Sequence, residues 1–230
     1  MLNREINTSA DLYTMLDTFT GGVSWEEFYD KRDMPAPFLI YNQVPDRFLV
    51  QFLRKHAVQS AVEFGCGEGR NAIYLAQHGV FVEAYDLAAN AIENARSFAA
   101  RKEVTVSFSA CDIFKQHFPS GKYDLVYDSG LFHHLAPHRR LEYRELVRTV
   151  LKPGGTFLLM CFAWGEGGGD DVDDYEFYKE PQVGVSFQKE RLVRFFERDF
   201  YVHTIEKGEE QASGQEFSQP YLYECIFQKK

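Results

Sequence analysis

The stretch from Val62 to Ala76, VEFGCGEGRNAIYLA, leaves few folds open to this chain. A short apolar run, Ser60 to Phe64, ends at Gly65, Gly67 and Gly69, spaced GxGxG. A helical pattern begins at once, with Ala72, Leu75 and Ala76 on one face. A strand that turns so sharply into a helix leaves the first N–H groups of the helix unpaired and directed outward. Glycines let the turn take positive φ and let a ligand approach the main chain. Val80 to Asp86 reads as the next strand, and it ends in a carboxylate about 20 positions after the first glycine, the place from which a nucleoside-binding βαβ unit accepts ribose hydroxyls.

The string Glu63-Phe64-Gly65-Cys66-Gly67-Glu68-Gly69-Arg70-Asn71 followed by Asp86 resembles the first two motifs of class I S-adenosylmethionine-dependent methyltransferases. A nicotinamide-binding turn more often reads GxGxxG, with the third glycine one place later. Tyr123 to His134, followed by Leu151-Lys152-Pro153-Gly154-Gly155, is similar to the middle of small-molecule members, chiefly the thiopurine, thiol and tellurite-resistance types. The likeness covers about residues 25–162 well and the rest loosely. It implies a doubly wound, Rossmann-like α/β fold with a seven-stranded, mostly parallel sheet and an antiparallel C-terminal strand, preceded by an N-terminal helical extension. It also implies S-adenosylmethionine as cofactor and S-adenosylhomocysteine as product.

Along the chain, residues 1–59 read as the extension, 60–162 as the cofactor-binding core, and 163–230 as an acidic loop with a closing strand pair, all in one domain. Asp11 to Phe19 and Arg47 to Lys55 have helical spacing. Between them lie Trp25, Phe28, Tyr29, Phe38 and Tyr41, which either pack on the sheet as ordinary core or form a lid over the ligand. Ala88 to Arg101, Pro137 to Leu151 and Lys189 to Arg198 are predicted helices. Val104 to Phe108, Tyr123 to Asp128, Thr156 to Phe162, Phe200 to Ile205 and Tyr221 to Phe227 are predicted strands, and Ala163 to Glu180 reads as an irregular loop.

The chain of 230 residues is long enough to bury a sizeable core, and 25 basic against 34 acidic residues give a formal charge of −9. That balance disfavours a nucleic-acid partner, as does Asp128-Ser129-Gly130 where base-flipping amino methyltransferases carry Asn/Asp-Pro-Pro-aromatic. The four cysteines form no CxxC pattern, and the N-terminus has no apolar leader. A cytoplasmic monomer or homodimer without membrane or metal partners is expected.

The resemblance assigns the cofactor to Glu63, Gly65, Cys66, Gly67, Gly69, Arg70, Asn71, Asp86 and Leu87. Asp112 and Ile113 take the adenine position, and Asp128 and Ser129 stand at the next strand end. Trp25, Tyr29, Phe38 and His133 are candidate acceptor contacts. Transfer from a sulfonium is an in-line displacement that needs positioning first, and a base only where the acceptor must lose a proton. His133 and His134 are the candidates for that base, or else one of them shapes the loop. Two other readings stand beside this one: a non-catalytic cofactor-binding protein, and an NAD(P)-dependent oxidoreductase suggested by Tyr175-x3-Lys179.

Overall fold

The computed structural model describes residues 6–20, 23–31, 43–165, 172–210 and 215–230. Phe38, Tyr41, Gly21-Gly22 and the glycine-rich part of the acidic segment lie outside the described residues.

Seven strands form one sheet: β1 (Ser60–Phe64), β2 (Phe81–Asp86), β3 (Ser107–Ala110), β4 (Tyr123–Ser129), β5 (Leu151–Phe162), β6 (Phe200–Lys207) and β7 (Leu222–Lys229). Their order is β3-β2-β1-β4-β5-β7-β6. The first five run parallel, and β7 inserts antiparallel between β5 and β6. The fold is therefore the expected seven-stranded, mostly parallel sheet. Strand order reverses between β1 and β4, which makes the carboxyl ends of those strands the natural ligand crevice.

Helices cover both faces. Neighbouring residues on the central strands point to opposite layers, so Ala61 and Val62, or Leu158 and Leu159, belong to separate cores. On one face lie α3 (Arg47–Leu53), α4 (Arg70–Gln77) and α5 (Ala89–Arg101), seated by Leu49, Ile73, Leu75, Ile92 and Phe98. On the other lie α6 (Pro137–Val150) and α8 (Lys189–Phe196), seated by Tyr143, Val147, Leu192 and Phe196. Strands buried on both sides are continuously apolar for this reason.

Two helices at the N-terminus, α1 (Ser9–Thr20) and α2 (Trp25–Lys31), stay outside both layers, and neither contains a buried residue. The acidic segment departs from the expected loop. Asp173 accepts from the Tyr175 and Glu176 amides and starts a short helix, α7 (Asp174–Lys179). Two arginines from α6 and α8, Arg140 and Arg191, both bond Asp174 Oδ1 and anchor it. β3 begins three residues later than expected. β5 begins earlier, because Lys152 to Gly155 bulge out between the Tyr123–Leu151 and Leu125–Thr156 pairs without ending the strand.

Candidate active site

The carboxyl ends of β1, β2, β4 and β5 open into a cavity of about 1600 Å³. That exceeds the usual range for a single small ligand and leaves room for a cofactor with an acceptor.

At its floor, Gly65, Gly67 and Gly69 have φ of +70°, +51° and +81°. Asp86 ends β2 and holds the glycine turn from below, accepting from the Gly67 amide at 2.7 Å and the Ala88 amide at 2.9 Å. Burial raises its pKa, and these amide donors work against that rise. A Cβ at Gly67 would stand 2.4 Å from the Tyr29 hydroxyl, so the cap helix α2 comes down directly on the turn. Burial pushes the Tyr29 phenol well above its ordinary range, with Asp86 adding to the effect.

Beside the turn lies a buried polar network. Asp46 accepts from Arg70 (2.7 Å), Asn71 (2.9 Å) and Tyr127 (2.7 Å) and is fully buried. Glu63 is buried too, with Oε1 3.3 Å from Asn71 Nδ2 and no hydrogen-bond partner for Oε2. Burial, then the Asp46 carboxylate, push its pKa up to about 8. An unpartnered buried carboxyl oxygen beside the cavity suits a cation.

The structure brings nearly all the expected residues to this cavity. Glu63, Gly65, Cys66, Gly67, Arg70, Asn71, Asp86, Leu87, Asp112, Ile113, Ser129, Trp25, Tyr29, His133 and His134 all line it. Gly69 does not. A Cβ there would meet Phe108 at 2.7 Å and Ala95 at 3.0 Å, so this glycine lets α4 pack closely and makes no approach to a ligand. Asp128 is likewise a correction. It is fully buried and accepts from the amides of Gly130, Leu131 and Phe132, so it braces the loop after β4 from behind. Burial raises its pKa to about 7. Phe38 lies outside the described residues.

Sequence reasoning misses Asp46, which reads as an ordinary helix N-cap ahead of α3 and makes no such bond. It also misses Met160, Phe162, Trp164, Val183, Phe217 and Tyr221 in the cavity wall. Phe162 and Trp164 carry a signal in their place at the end of a buried strand. Phe217 reaches the cavity only through pairing of Asp46 with Phe217, a contact no local pattern announces. The Tyr175/Lys179 pair stands on α7 with Tyr175 85% exposed, and neither residue lines the cavity.

Residues 61–155 match the methyltransferase-domain family. The 2-heptyl-1-hydroxyquinolin-4(1H)-one methyltransferase of Mycobacteroides abscessus is 31% identical over 102 residues, 44% of this chain and 45% of that protein. This chain thus aligns with less than half of that relative's length. A probable thiol methyltransferase of Arabidopsis thaliana is 28% identical over 180 residues, 74% of this chain and 77% of that protein. The Burkholderia thailandensis 1,6-didemethyltoxoflavin-N1-methyltransferase, solved with S-adenosylhomocysteine, superposes with a TM-score of 0.67 at 16% identity, covering 100% of this chain and 93% of that one, and shares the fold. An uncharacterized methyltransferase of Schizosaccharomyces pombe is 32% identical over 115 residues, half of this chain and 78% of that protein. With that identity carried across most of a relative, the chain belongs to the S-adenosylmethionine-dependent methyltransferases, the family its glycine turn resembles.

Proposed function

We propose that this protein transfers a methyl group from S-adenosylmethionine to a small-molecule acceptor bound at the β4–β5 end of the cavity. The observation that carries the reading is the continuity of that cavity, from Asp86 and Asp112 at one end to Phe162 and Trp164 at the other. The cofactor supplies an electrophilic methyl on a sulfonium, and the chain's own residues bind and orient. Asp86 takes the ribose hydroxyls, the Gly65–Gly67 turn admits the methionine end, and the unpartnered Oε2 of Glu63 receives its ammonium. Asp112 and Ile113 flank the adenine.

At the far end the walls are apolar and aromatic. Trp25 meets His134 edge-on at 4.7 Å between ring centroids, and Phe162 stacks on His133 at 3.7 Å. Walls of this kind hold a compact organic acceptor and keep water away from the transfer. Two relatives, the hydroxyquinolone and thiol methyltransferases, are named for small-molecule acceptors, which supports the same class here, while a third is named for ribosomal RNA. The charge of −9 weighs against a nucleic-acid acceptor. Four unpaired cysteines accord with work in the cytoplasm, and no helix among the described residues is long and apolar enough to cross a membrane. Calorimetric titration with S-adenosylhomocysteine and with NAD, followed by S-adenosylhomocysteine production across an acceptor panel, tests the proposal. Binding of NAD in preference to S-adenosylhomocysteine would overturn it.

A further inference from the structure

The two histidines after β4 have every ring nitrogen engaged. The Phe162 amide donates to His133 Nδ1 at 3.2 Å, so that nitrogen carries no proton. His133 Nε2 lies 3.0 Å from His134 Nε2, and His134 Nδ1 lies 2.5 Å from the Val183 carbonyl oxygen, which can only accept. With neutral rings one assignment satisfies all three contacts. His133 is protonated on Nε2 and donates to His134 Nε2, while His134 is protonated on Nδ1 and donates to Val183. Burial, then the neighbouring His134 and Arg140, hold the His133 pKa well below its ordinary value. Burial lowers that of His134, with the Val183 carbonyl acting against it.

The relay also fixes the walls around it. The Val185 amide donates to the His133 carbonyl at 2.9 Å, which pins the 183–185 segment, and Trp25 of the cap rests on the His134 ring. Other ionisable groups face this end from three elements. Asp17 on α1 is bound by Arg139 and His138, which outweigh its burial and keep it ionised. Tyr29 on α2 and Tyr221 before β7 are raised by burial and keep their protons near neutral pH. Glu63 and Asp86 belong to the cofactor end.

Resting on the methyl-transfer reading above, we propose that His133 and His134 are a positioning relay that takes no proton, and that the acceptor attacks as an anion already formed at neutral pH. The chemical class is a flat ring bearing an acidic hydroxyl, N-hydroxyl or thiol. The anion's lone pair makes the new bond to the methyl carbon as the carbon–sulfonium bond breaks, its electron pair staying on sulfur. The acceptor becomes neutral and the sulfonium becomes a thioether. No proton is released, so no base is required.

Two measurements decide it. The first uses 4-nitrothiophenol and 4-nitrophenol, whose absorbance separates acid from anion, titrated into the protein with S-adenosylhomocysteine present. The bound probe should show the anion's spectrum, and affinity should follow each probe's own ionisation. The His134→Gln variant should keep that dependence and lose about fivefold in affinity, the worth of one hydrogen bond. The second needs no acceptor. Nitrogen-15 NMR of the histidines should show His133 as the Nε2–H tautomer and His134 as the Nδ1–H tautomer, both unchanged between about pH 6 and 8. A bound probe in its acid form, or a His133 or His134 ring that titrates within that window, overturns the proposal. If S-adenosylhomocysteine itself fails to bind, the methyl-transfer reading falls instead, and the NMR result still judges the relay.

Discussion

The floor and the roof of the cavity are built by different means. The floor, from Glu63 through Gly69 to Asp86, is made of strand ends and a turn that sit inside the two hydrophobic layers. The roof, α1 and α2, adds no residue to either hydrophobic core and is held by polar contacts together with Trp25 on the His134 ring and the Tyr29 hydroxyl over Gly67. Asp17 reaches Arg139 and His138 on α6, Glu26 accepts from the Ala89 and Asn90 amides at the start of α5, and Asp30 accepts from Asn90. Asp17 is itself half-exposed, and partly exposed contacts of this kind contribute only about 1 kcal/mol each. The floor should therefore open only with the domain, and we propose that the roof opens at lower cost, as a lid.

Breaking the floor should have the largest effect. Gly67→Val places a branched side chain at φ +51° and against the Tyr29 hydroxyl. Left-handed strain of roughly 1–2 kcal/mol and overpacking of roughly 1–3 kcal/mol should cost on the order of 10²-fold in S-adenosylhomocysteine affinity. Calorimetry that finds the affinity intact would remove the turn from the cofactor site.

Asp86→Ala should come next, at tenfold or more. Each charge-assisted bond is worth about 1.5–3 kcal/mol, and Asp86 both lines the cavity and holds the turn through Gly67. Asp86→Asn keeps an acceptor for the turn and should lose less. Equal losses in the two variants would mean that the charge, and not the turn, carries the effect.

Glu63 gives an intermediate effect that reads pH. Its pKa near 8 in the folded chain, against an ordinary value near 4.5, means the folded state keeps a proton that the unfolded state gives up. Its contribution to stability therefore falls as pH rises from about 4.5 to about 8, and Glu63→Gln should flatten that part of the thermal-denaturation profile. An ammonium placed at Oε2 favours the carboxylate, so ligand binding at pH 7 should release up to about one proton. Calorimetry in buffers of different ionisation enthalpy measures this release, and an identical release in Glu63→Gln would move the ammonium elsewhere.

The roof should give the smallest change in affinity and the largest change in exchange. Asp17→Asn or Glu26→Gln should alter S-adenosylhomocysteine affinity by about threefold or less, while amides of α1 and α2 lose ligand-dependent protection from hydrogen exchange. Protection of those helices equal to that of Val62–Phe64 without ligand would make the roof a static layer.

The same contrast sets how much is legible in the sequence. The floor is written in one short stretch because glycine geometry and strand-to-helix turns are local, and both faces of the sheet follow from apolar period. Gly69 is misread because a glycine that admits a helix and one that admits a ligand look alike in sequence. Asp128 is misread because a strand-end carboxylate can turn toward the cavity or back into its own loop. Asp46, Phe162, Val183 and Phe217 meet the site across separations of many residues, and the tautomers of His133 and His134 exist only once β5 and the 183 segment have docked.

Glu26 also fixes a sequence in time. Its carboxylate caps α5, whose own N-cap, Ala88, offers no side-chain acceptor, and α2 consequently lies across the mouth above Asp86 and Gly67. We propose that the cofactor enters with that cap lifted, and that the acceptor, although Trp25 of the cap reaches His134, arrives past Trp164 and Val183, both exposed to solvent. Turnover should then be ordered, with cofactor first on and its product last off. S-adenosylhomocysteine should compete with S-adenosylmethionine and act as a mixed inhibitor toward the acceptor, and weakening the Glu26 cap should speed product release.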